Sequence, residues 1–194
     1  EVIMKKEKYK FLFIALLMVM CYSFSAFAQS NPHELFIPPP TGPGQFLDQT
    51  ILADTNANGT RKDPDRVYVL QRGGEYLVGT FIRNTNWVLR IKAQDGPGNK
   101  PIIYLFPNAT TGKPPGYFIH VSGDVYLKNL IISGIVEADP AIDPTNYIGG
   151  MQGALISTNS PGKNIYIDSC HLTNTNGNHV RTDQAPITVK ITNS

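Results

Sequence analysis

Hydrophobic and polar positions alternate along this chain in short segments that recur at intervals through its second half. Each segment has two apolar residues separated by one variable residue, followed by a small or polar position. Aligning Leu89, Val125, Ile165 and Val189 places the segments 36, 40 and 24 residues apart. Alternation with a period of two is typical of β-strands. The segments are WVLRIKAQDG (87–96), DVYLKNLIISG (124–134), NIYIDSCHLTN (164–174) and ITVKITNS (187–194).

The recurrence predicts an all-β fold of stacked turns, a parallel β-helix. A single turn cannot bury its apolar side chains alone, whereas turns stacked about 4.8 Å apart bury a continuous column of them. The spacing of 24 residues fits a bare turn, and the two longer spacings leave room for inserted loops. An antiparallel sandwich is the alternative, because it also uses short strands separated by turn residues.

A second set of segments precedes the first by a short turn, so two strands are expected in each stacked turn. These segments are GYFIHVSG (116–123), GALISTNS (153–160) and GNHVRTDQ (177–184). Alternation predicts two inward columns, which are Ile119, Ile156 and Val180, and Val121, Thr158 and Thr182. The outward columns are Phe118, Leu155 and His179, and His120, Ser157 and Arg181. Since Phe118 and Leu155 are apolar, we expect a loop to cover them, and the insertion 136–150 is the nearest candidate.

The segment 164–174 places the chemically reactive Cys170 and His171 inside the repeat. The alignment predicts that Ile165 and Ile167 point inward and that Cys170 takes the position of Leu130 one turn earlier. Cys170 is therefore predicted to be a small buried apolar residue. His171 aligns with the wall position Ile131 and is predicted to be exposed, while Leu172 aligns with Ile132.

The first 28 residues have the organisation of a secretory signal peptide. A basic start is followed by an apolar stretch of about a dozen residues and by the small-residue site Ala26–Ala28. The stretch is too short to span a bilayer, so we expect a secreted or cell-surface protein with no membrane span after cleavage. Residues 29–45 are rich in proline and glycine and predict a linker or a surface strap. The parallel β-helix domain is predicted over 46–194.

The net charge and the cysteine content argue against some classes of protein. Four lysines and two acids lie in residues 1–28, so the predicted mature chain has equal numbers of basic and acidic residues. No nucleic-acid partner is expected, because such proteins carry a net basic surface. Cys170 is the one cysteine outside the signal, which argues against a disulfide framework. The repeat continues to the last residue, so we expect an N-terminal fragment of a longer β-helix, prone to aggregation when purified alone.

Two segments resemble the pectate lyase-like superfamily of secreted right-handed parallel β-helix proteins. RVYVLQRGGEYLVGTFI (66–82) resembles an opening turn, and 153–194 is similar to the core turns. The resemblance implies a polysaccharide lyase-like protein that acts by β-elimination on uronate-containing glycans. It also implies calcium ligands where this chain has Gln152-Gly153 and Asn176-Gly177, and a histidine where it has Ser169. Calcium-dependent cleavage of the pectate type is therefore not expected on this face.

Candidate catalytic residues lie on the second set of strands. A lyase needs a base for the sugar C5 proton and cations that stabilise the developing negative charge. His120, His179 and Arg181 supply such groups, and Asp183 is a candidate substrate-binding residue. The alternative is a solvated outer face of the solenoid.

Tyr126 and Tyr166 are further candidate substrate-binding residues, because a tyrosine ring offers an apolar face and a hydroxyl to a sugar. They occupy the same repeat position and are predicted to stack on each other along the outer wall. Such a ladder also stabilises stacked strands without any ligand, which is the alternative reading.

One loop carries the spacing of a calcium site. Asp54, Asn56, Asn58 and Asp65 occupy the oxygen-ligand positions of a D-x-N-x-N-G loop. The alternative is a polar turn held by side-chain hydrogen bonds.

Together these features predict a secreted β-helix protein that binds, and in the stronger form of the hypothesis cleaves, acidic polysaccharide. The competing class is a non-catalytic, adhesin-like surface scaffold.

Overall fold

The computed structural model describes residues 31–107, 115–137, 148–150, 153–158 and 160–194. The predicted signal peptide and residues 138–147 of the predicted covering insertion lie outside this part of the chain. Residues His33–Ser194 form one compact unit. Its helix α1 (Leu47–Leu52) has six residues. No helix in the described ranges is long and apolar enough to cross a membrane.

Short strands make up most of this unit. In chain order they are β1 (Glu34–Ile37), β2 (Val67–Leu70), β3 (Glu75–Val78), β4 (Ile82–Arg83), β5 (Leu89–Ala93), β6 (Ile102–Leu105), β7 (Tyr117–Val121), β8 (Val125–Lys128), β9 (Ile131–Ser133), β10 (Ile135–Glu137), β11 (Ile148–Gly150), β12 (Ala154–Thr158), β13 (Lys163–Asp168), β14 (His171–Thr173), β15 (Val180–Thr182) and β16 (Ile187–Thr192). Strands of two to six residues separated by turn residues agree with the alternating pattern.

The strands form three parallel sheets. The first sheet has the order β1-β2-β5-β8-β13-β16, the second sheet β4-β7-β12-β15, and the third sheet β3-β6-β9-β14. From β2 onward the chain enters the first, third and second sheets in turn and repeats that order until β15. One antiparallel hairpin, β10-β11, interrupts the order between the third and second sheets. Parallel pairing throughout the three sheets contradicts the sandwich alternative.

Both sequence alignments are confirmed by the strand registers. Leu89 pairs with Val125, Val125 with Ile165, and Ile165 with Val189 in the first sheet. In the second sheet, Ile156 pairs with Ile119 and with Val180. The aligned residues of the inner strands, which include Leu89, Val125, Ile165, Ile119 and Ile156, have no exposed surface. The apolar columns predicted by the alternation therefore form the core. The prediction is wrong at the last strands, where Val180 is half-buried and Thr182 and Val189 are exposed because no further described strand covers β15 and β16.

The third sheet corrects the prediction of two strands in each turn. The segment 124–134 reads as one strand, but Asn129 has a φ of 58° and divides it into β8 and β9. Ser169 (φ 54°) and Asn193 (φ 53°) occupy the corresponding positions after β13 and β16. A left-handed residue turns the chain sharply, so β8 and β13 are followed by strands of a different sheet, β9 and β14.

Ser169 is the one of these three left-handed positions that is not asparagine. We expect Ser169→Asn to raise the free energy of unfolding by about 0.5–1 kcal/mol, because asparagine tolerates a conformation that costs other residues ~1–2 kcal/mol. Urea denaturation would show a higher midpoint with an unchanged slope. Ser169→Ala is the control, since it keeps the strain and loses the hydrogen bond of 3.3 Å to Asp168. Equal midpoints for the two variants would contradict the prediction.

Part of the predicted linker belongs to the compact unit. Glu34–Ile37 form β1, which pairs in parallel with β2 at one edge of the first sheet. Tyr76, whose side chain is 1% exposed, donates its hydroxyl hydrogen bond to the carbonyl of Ile37 at 2.7 Å. Residues 34–37 therefore lie along the sheet as a strand, which differs from a solvated linker.

Candidate functional site

Four polar residues form one column across the second sheet. Arg83 pairs with His120, His120 with Ser157, and Ser157 with Arg181. Neighbouring strands lie about 4.8 Å apart, so the backbones of Arg83 and Arg181 are roughly 14 Å apart. Both arginines are exposed, His120 is half-buried and Ser157 is buried. We call these four residues the cationic column.

The sequence predicted three members of the cationic column and missed Arg83. Its strand, β4, has only two residues, so no alternation marks it. The signal that could have found it is the pair Ile82-Arg83, which repeats the order of an apolar and then a basic residue in Ile119-His120 and Val180-Arg181.

Aromatic rings pack around the middle of the cationic column. The His120 ring lies 5.4 Å from the ring centre of Tyr117, in an edge-on arrangement, and 6.0 Å from that of Phe81. The guanidinium carbon of Arg83 lies 5.3 Å from the Phe81 ring centre, which is within cation–π distance. These contacts restrict the orientation of both polar side chains and place an apolar surface beside them.

The two arginines of the column differ in their charge partners. Arg181 donates a hydrogen bond of 2.9 Å from Nε to Asp183, and this bond raises the pKa of the guanidinium. Arg83 takes no part in the ion pairs formed by the described residues. The guanidinium of Arg83 is therefore the stronger candidate for an external anion, while Arg181 must share its donors with Asp183.

His179 lies apart from the other predicted catalytic residues. Its carbonyl accepts the backbone hydrogen bond of Ile156 at 3.0 Å. Its side chain lines a cavity of about 560 Å³ together with His171 and Leu172, and neither His120 nor Arg181 lines that cavity. The structure therefore brings His120, Arg181 and Asp183 to one face, and it places His179 immediately before β15, lining a cavity with His171 and Leu172 of the third sheet.

Phe118 and Leu155, predicted to need a cover, are completely buried. Leu155 packs against the backbone that follows β9, where a Cβ atom on Gly134 would lie 3.2 Å from Leu155 Cδ2. The turn at Gly134 thus contributes to the cover. The contribution of residues 138–147 lies outside the described residues.

On the first sheet, the predicted stacking of Tyr126 on Tyr166 is present. Their ring centres are 4.6 Å apart and their planes differ by 13°. Arg90 lies over the other face of the pair, 5.9 Å from the Tyr126 ring centre, and Lys190 follows Tyr166 in the register. Burial and the neighbouring Tyr166 raise the pKa of Tyr126, so its hydroxyl stays protonated at neutral pH. Since the rings cover each other, a sugar would contact their edges and hydroxyls, and their substrate-binding role remains a prediction.

Asp54, the first residue of the predicted calcium loop, is surrounded by cations and hydroxyls. Its Oδ2 accepts hydrogen bonds from Arg66 Nε at 3.0 Å and from the Tyr68 hydroxyl at 3.2 Å. Arg61 Nη2 lies 3.7 Å from the same oxygen, and the Asp54 side chain is only 7% exposed. A calcium ion would have to displace these guanidinium groups from the carboxylate.

The other predicted calcium ligands also have partners. Asn58 Oδ1 accepts from the Thr60 hydroxyl at 2.7 Å, the Asn56 amide donates to the same hydroxyl at 3.1 Å, and Asp65 forms an ion pair of 3.5 Å with Arg90. The described ranges contain no group of three or more His, Cys, Asp or Glu residues that could hold a metal ion.

Calcium binding by this loop is tested by thermal unfolding with and without the ion. Binding to the native state alone would raise the Tm with increasing calcium. If the four predicted residues are the ligands, Asp65→Ala is expected to remove that rise. An unchanged Tm of the parent protein at saturating calcium would contradict the calcium prediction.

Cys170 is buried, as the alignment predicted, and its Sγ donates to the carbonyl of Asp168 at 3.4 Å. Burial raises the pKa of the thiol. Because the thiolate is the reactive form, we expect the folded protein to resist alkylation at neutral pH and the urea-unfolded protein to react fully. Mass spectrometry after iodoacetamide treatment measures both. Rapid labelling in the folded state would contradict the burial of Cys170.

Comparison of the chain with family models, curated proteins and solved structures finds no match. The resemblance to the pectate lyase-like superfamily therefore depends on the sequence segments alone.

Proposed function

We propose that this chain is an exported right-handed parallel β-helix that binds acidic, uronate-containing polysaccharide. Three parallel sheets entered in a constant order, with apolar columns running across the strands, support the solenoid. The right-handed sense follows the strong preference of parallel crossover connections. Export is supported by the signal-like residues 1–28, and a secreted form beginning at Gln29 is the result expected from N-terminal sequencing.

The cationic column is the observation that carries the binding proposal. It has one polar residue on each of four adjacent strands, with an exposed arginine at either end. Guanidinium groups bind carboxylates with two parallel hydrogen bonds, which suits a polymer that repeats a carboxylate along its length. Phe81 and Tyr117 add apolar surface beside the column, where the carbon face of a sugar ring can pack.

Binding is tested by calorimetry or affinity electrophoresis with matched polysaccharides. We expect binding to polygalacturonate, alginate or a glycosaminoglycan, and none to the neutral polymers of similar length. Affinity should fall as salt is added, because the interaction is between exposed charges. Equal binding to neutral and acidic polymers, or no binding to any of them, would reject the proposal.

Cleavage by β-elimination is the stronger form of the hypothesis and has weaker support. His120 and Arg181 share the column, but their backbones are separated by the strand of Ser157 and lie roughly 10 Å apart. Release of unsaturated uronate, measured by the absorbance of the new double bond, tests the lyase directly. Binding without product would favour the non-catalytic, adhesin-like scaffold, and product lost in His120→Ala would favour the enzyme.

A further inference from the structure

The stacked pair Tyr126 and Tyr166 combines three properties that a tyrosine cross-link requires. The rings are in contact, with centres 4.6 Å apart and planes within 13°. The two residues are register partners on the parallel strands β8 and β13, which holds their side chains next to each other on one face of the sheet. Neither side chain is buried, and Tyr126 is 39% exposed. Of the tyrosines that the structure describes, only these two have their rings in contact with each other.

We propose that Tyr126 and Tyr166 are the site of an oxidative cross-link, formed by a haem peroxidase with hydrogen peroxide as the oxidant. Each phenol loses one electron and one proton and becomes a tyrosyl radical. The two radicals join through a carbon–carbon bond between ring positions next to the hydroxyls, and each ring regains its aromaticity by moving that position's hydrogen to its oxygen. The two electrons and two protons reduce one hydrogen peroxide to two waters, so the protein loses two hydrogen atoms in all.

The stack places the reacting carbons close to each other before oxidation. Joining them requires the rings to tilt and the two Cβ atoms to move apart, because the new bond holds the Cβ atoms farther apart than they are in register partners on neighbouring strands. The outer face of the sheet leaves room for the ring movement, because neither ring belongs to the core. Along the register the pair is flanked by the cations Arg90 and Lys190, and the Asp124 carboxylate also acts on Tyr126. A radical formed on either ring therefore meets the other tyrosine before it meets a second protein molecule, which favours an intramolecular product.

The cross-link would provide a covalent connection between strands, which the cysteine content does not provide. Cys170 is buried and is the one cysteine outside the predicted signal, so strands cannot be joined by a disulfide there. A bond between Tyr126 and Tyr166 closes a loop that contains residues 138–147 and links two neighbouring strands covalently. Closing a long loop restricts the unfolded chain, and the cross-linked protein is expected to have a higher Tm.

The test treats the dilute folded protein with peroxidase and hydrogen peroxide and measures dityrosine fluorescence, intact mass and cross-linked peptides. The expected product is a monomer lighter by two hydrogen atoms, with one linkage joining Tyr126 to Tyr166. Tyr126→Phe and Tyr166→Phe keep the ring stack and lack the phenol, so each is expected to reduce the fluorescence to background. Tyr104→Phe is the matched control and should retain the full signal.

Three outcomes would overturn the proposal. They are the lack of any dityrosine in the parent protein, a linkage confined to covalent oligomers, and an unchanged monomeric product in the two Phe variants. Because phenylalanine preserves the stacking, urea denaturation should show both variants folded, and a loss of fluorescence is then assigned to the missing phenol. None of these readouts depends on polysaccharide binding.

Discussion

Replacing Asp48 with alanine is expected to lower the free energy of unfolding by about 2–3 kcal/mol, because the change leaves backbone donors without their acceptor. Asp48 lies in α1 and is 1% exposed. Its carboxylate accepts hydrogen bonds from Gly79 N at 3.0 Å, Thr80 N at 3.1 Å and the Thr80 hydroxyl at 2.6 Å. The effect is measured as a lower midpoint of urea unfolding followed by circular dichroism.

The matched control is Gln49→Ala, which makes the same truncation at the next, exposed position of the helix. We expect it to change the midpoint very little, since surface substitutions away from such contacts are usually neutral. Asp48→Asn keeps one acceptor oxygen and should fall between alanine and the parent. If Asp48→Ala unfolds at the same urea concentration as Gln49→Ala, these hydrogen bonds do not hold α1.

The reason for the large expected effect is the position of α1. Leu47 and Ile51 are buried in the same apolar cluster as Val78 and Ile82, which belong to the first turn of the sheets. Stacked strands need a cap that covers their apolar interior. Asp48 attaches this short helix to the chain between β3 and β4, so its loss exposes the interior as well as the two amide groups.

The strand registers could be predicted from the sequence because they depend on one local property, the alternation of apolar and polar residues. Alternation places every second side chain inside, and a shift of one residue would move Ile165 and Ile167 to the surface. The same logic correctly placed Cys170 inside and His171 outside, since both follow from the alignment with β9. The stack of Tyr126 on Tyr166 follows from the register as well.

The third sheet could not be predicted in this way. Its strands have three or four residues, which is too short for a period to be recognised. The turn that separates them from the first sheet depends on the backbone at Asn129 and Ser169. Asparagine and serine also occur in ordinary turns and strand ends, so neither residue identifies a left-handed conformation by itself.

The two candidate sites could be predicted from the sequence to different extents, for a similar reason. His120 and Arg181 were found together because alternation fixes the face of a strand. Two partners of Asp54, Arg66 and Tyr68, come from outside the spacing on which the calcium prediction depends, and Tyr68 belongs to β2 of the first sheet. A ligand motif in the sequence identifies oxygen atoms that could bind a metal ion. The tertiary structure determines which positively charged side chains lie next to those atoms.

The second large effect is expected from removing both arginines of the cationic column, and it rests on the proposed function. Each guanidinium that binds a carboxylate is expected to contribute roughly tenfold to the Kd, so Arg83→Ala with Arg181→Ala should weaken acidic polysaccharide binding by about a hundredfold. Arg83→Ala alone should have the larger single effect, because Arg181 already shares its Nε with Asp183 at 2.9 Å.

Lys190→Ala is the charge-matched control, because it removes an exposed cation from the first sheet and leaves the cationic column intact. Arg83→Lys separates the contribution of charge to the affinity from that of the paired hydrogen bonds. The variant keeps the charge and loses the two parallel hydrogen bonds of the guanidinium. If general attraction between charges accounts for binding, Lys190→Ala will weaken it as much as Arg83→Ala, and Arg83→Lys will bind like the parent. That combination would contradict a site at the cationic column, whereas an affinity that falls only in the column variants places the polymer across β4, β7, β12 and β15.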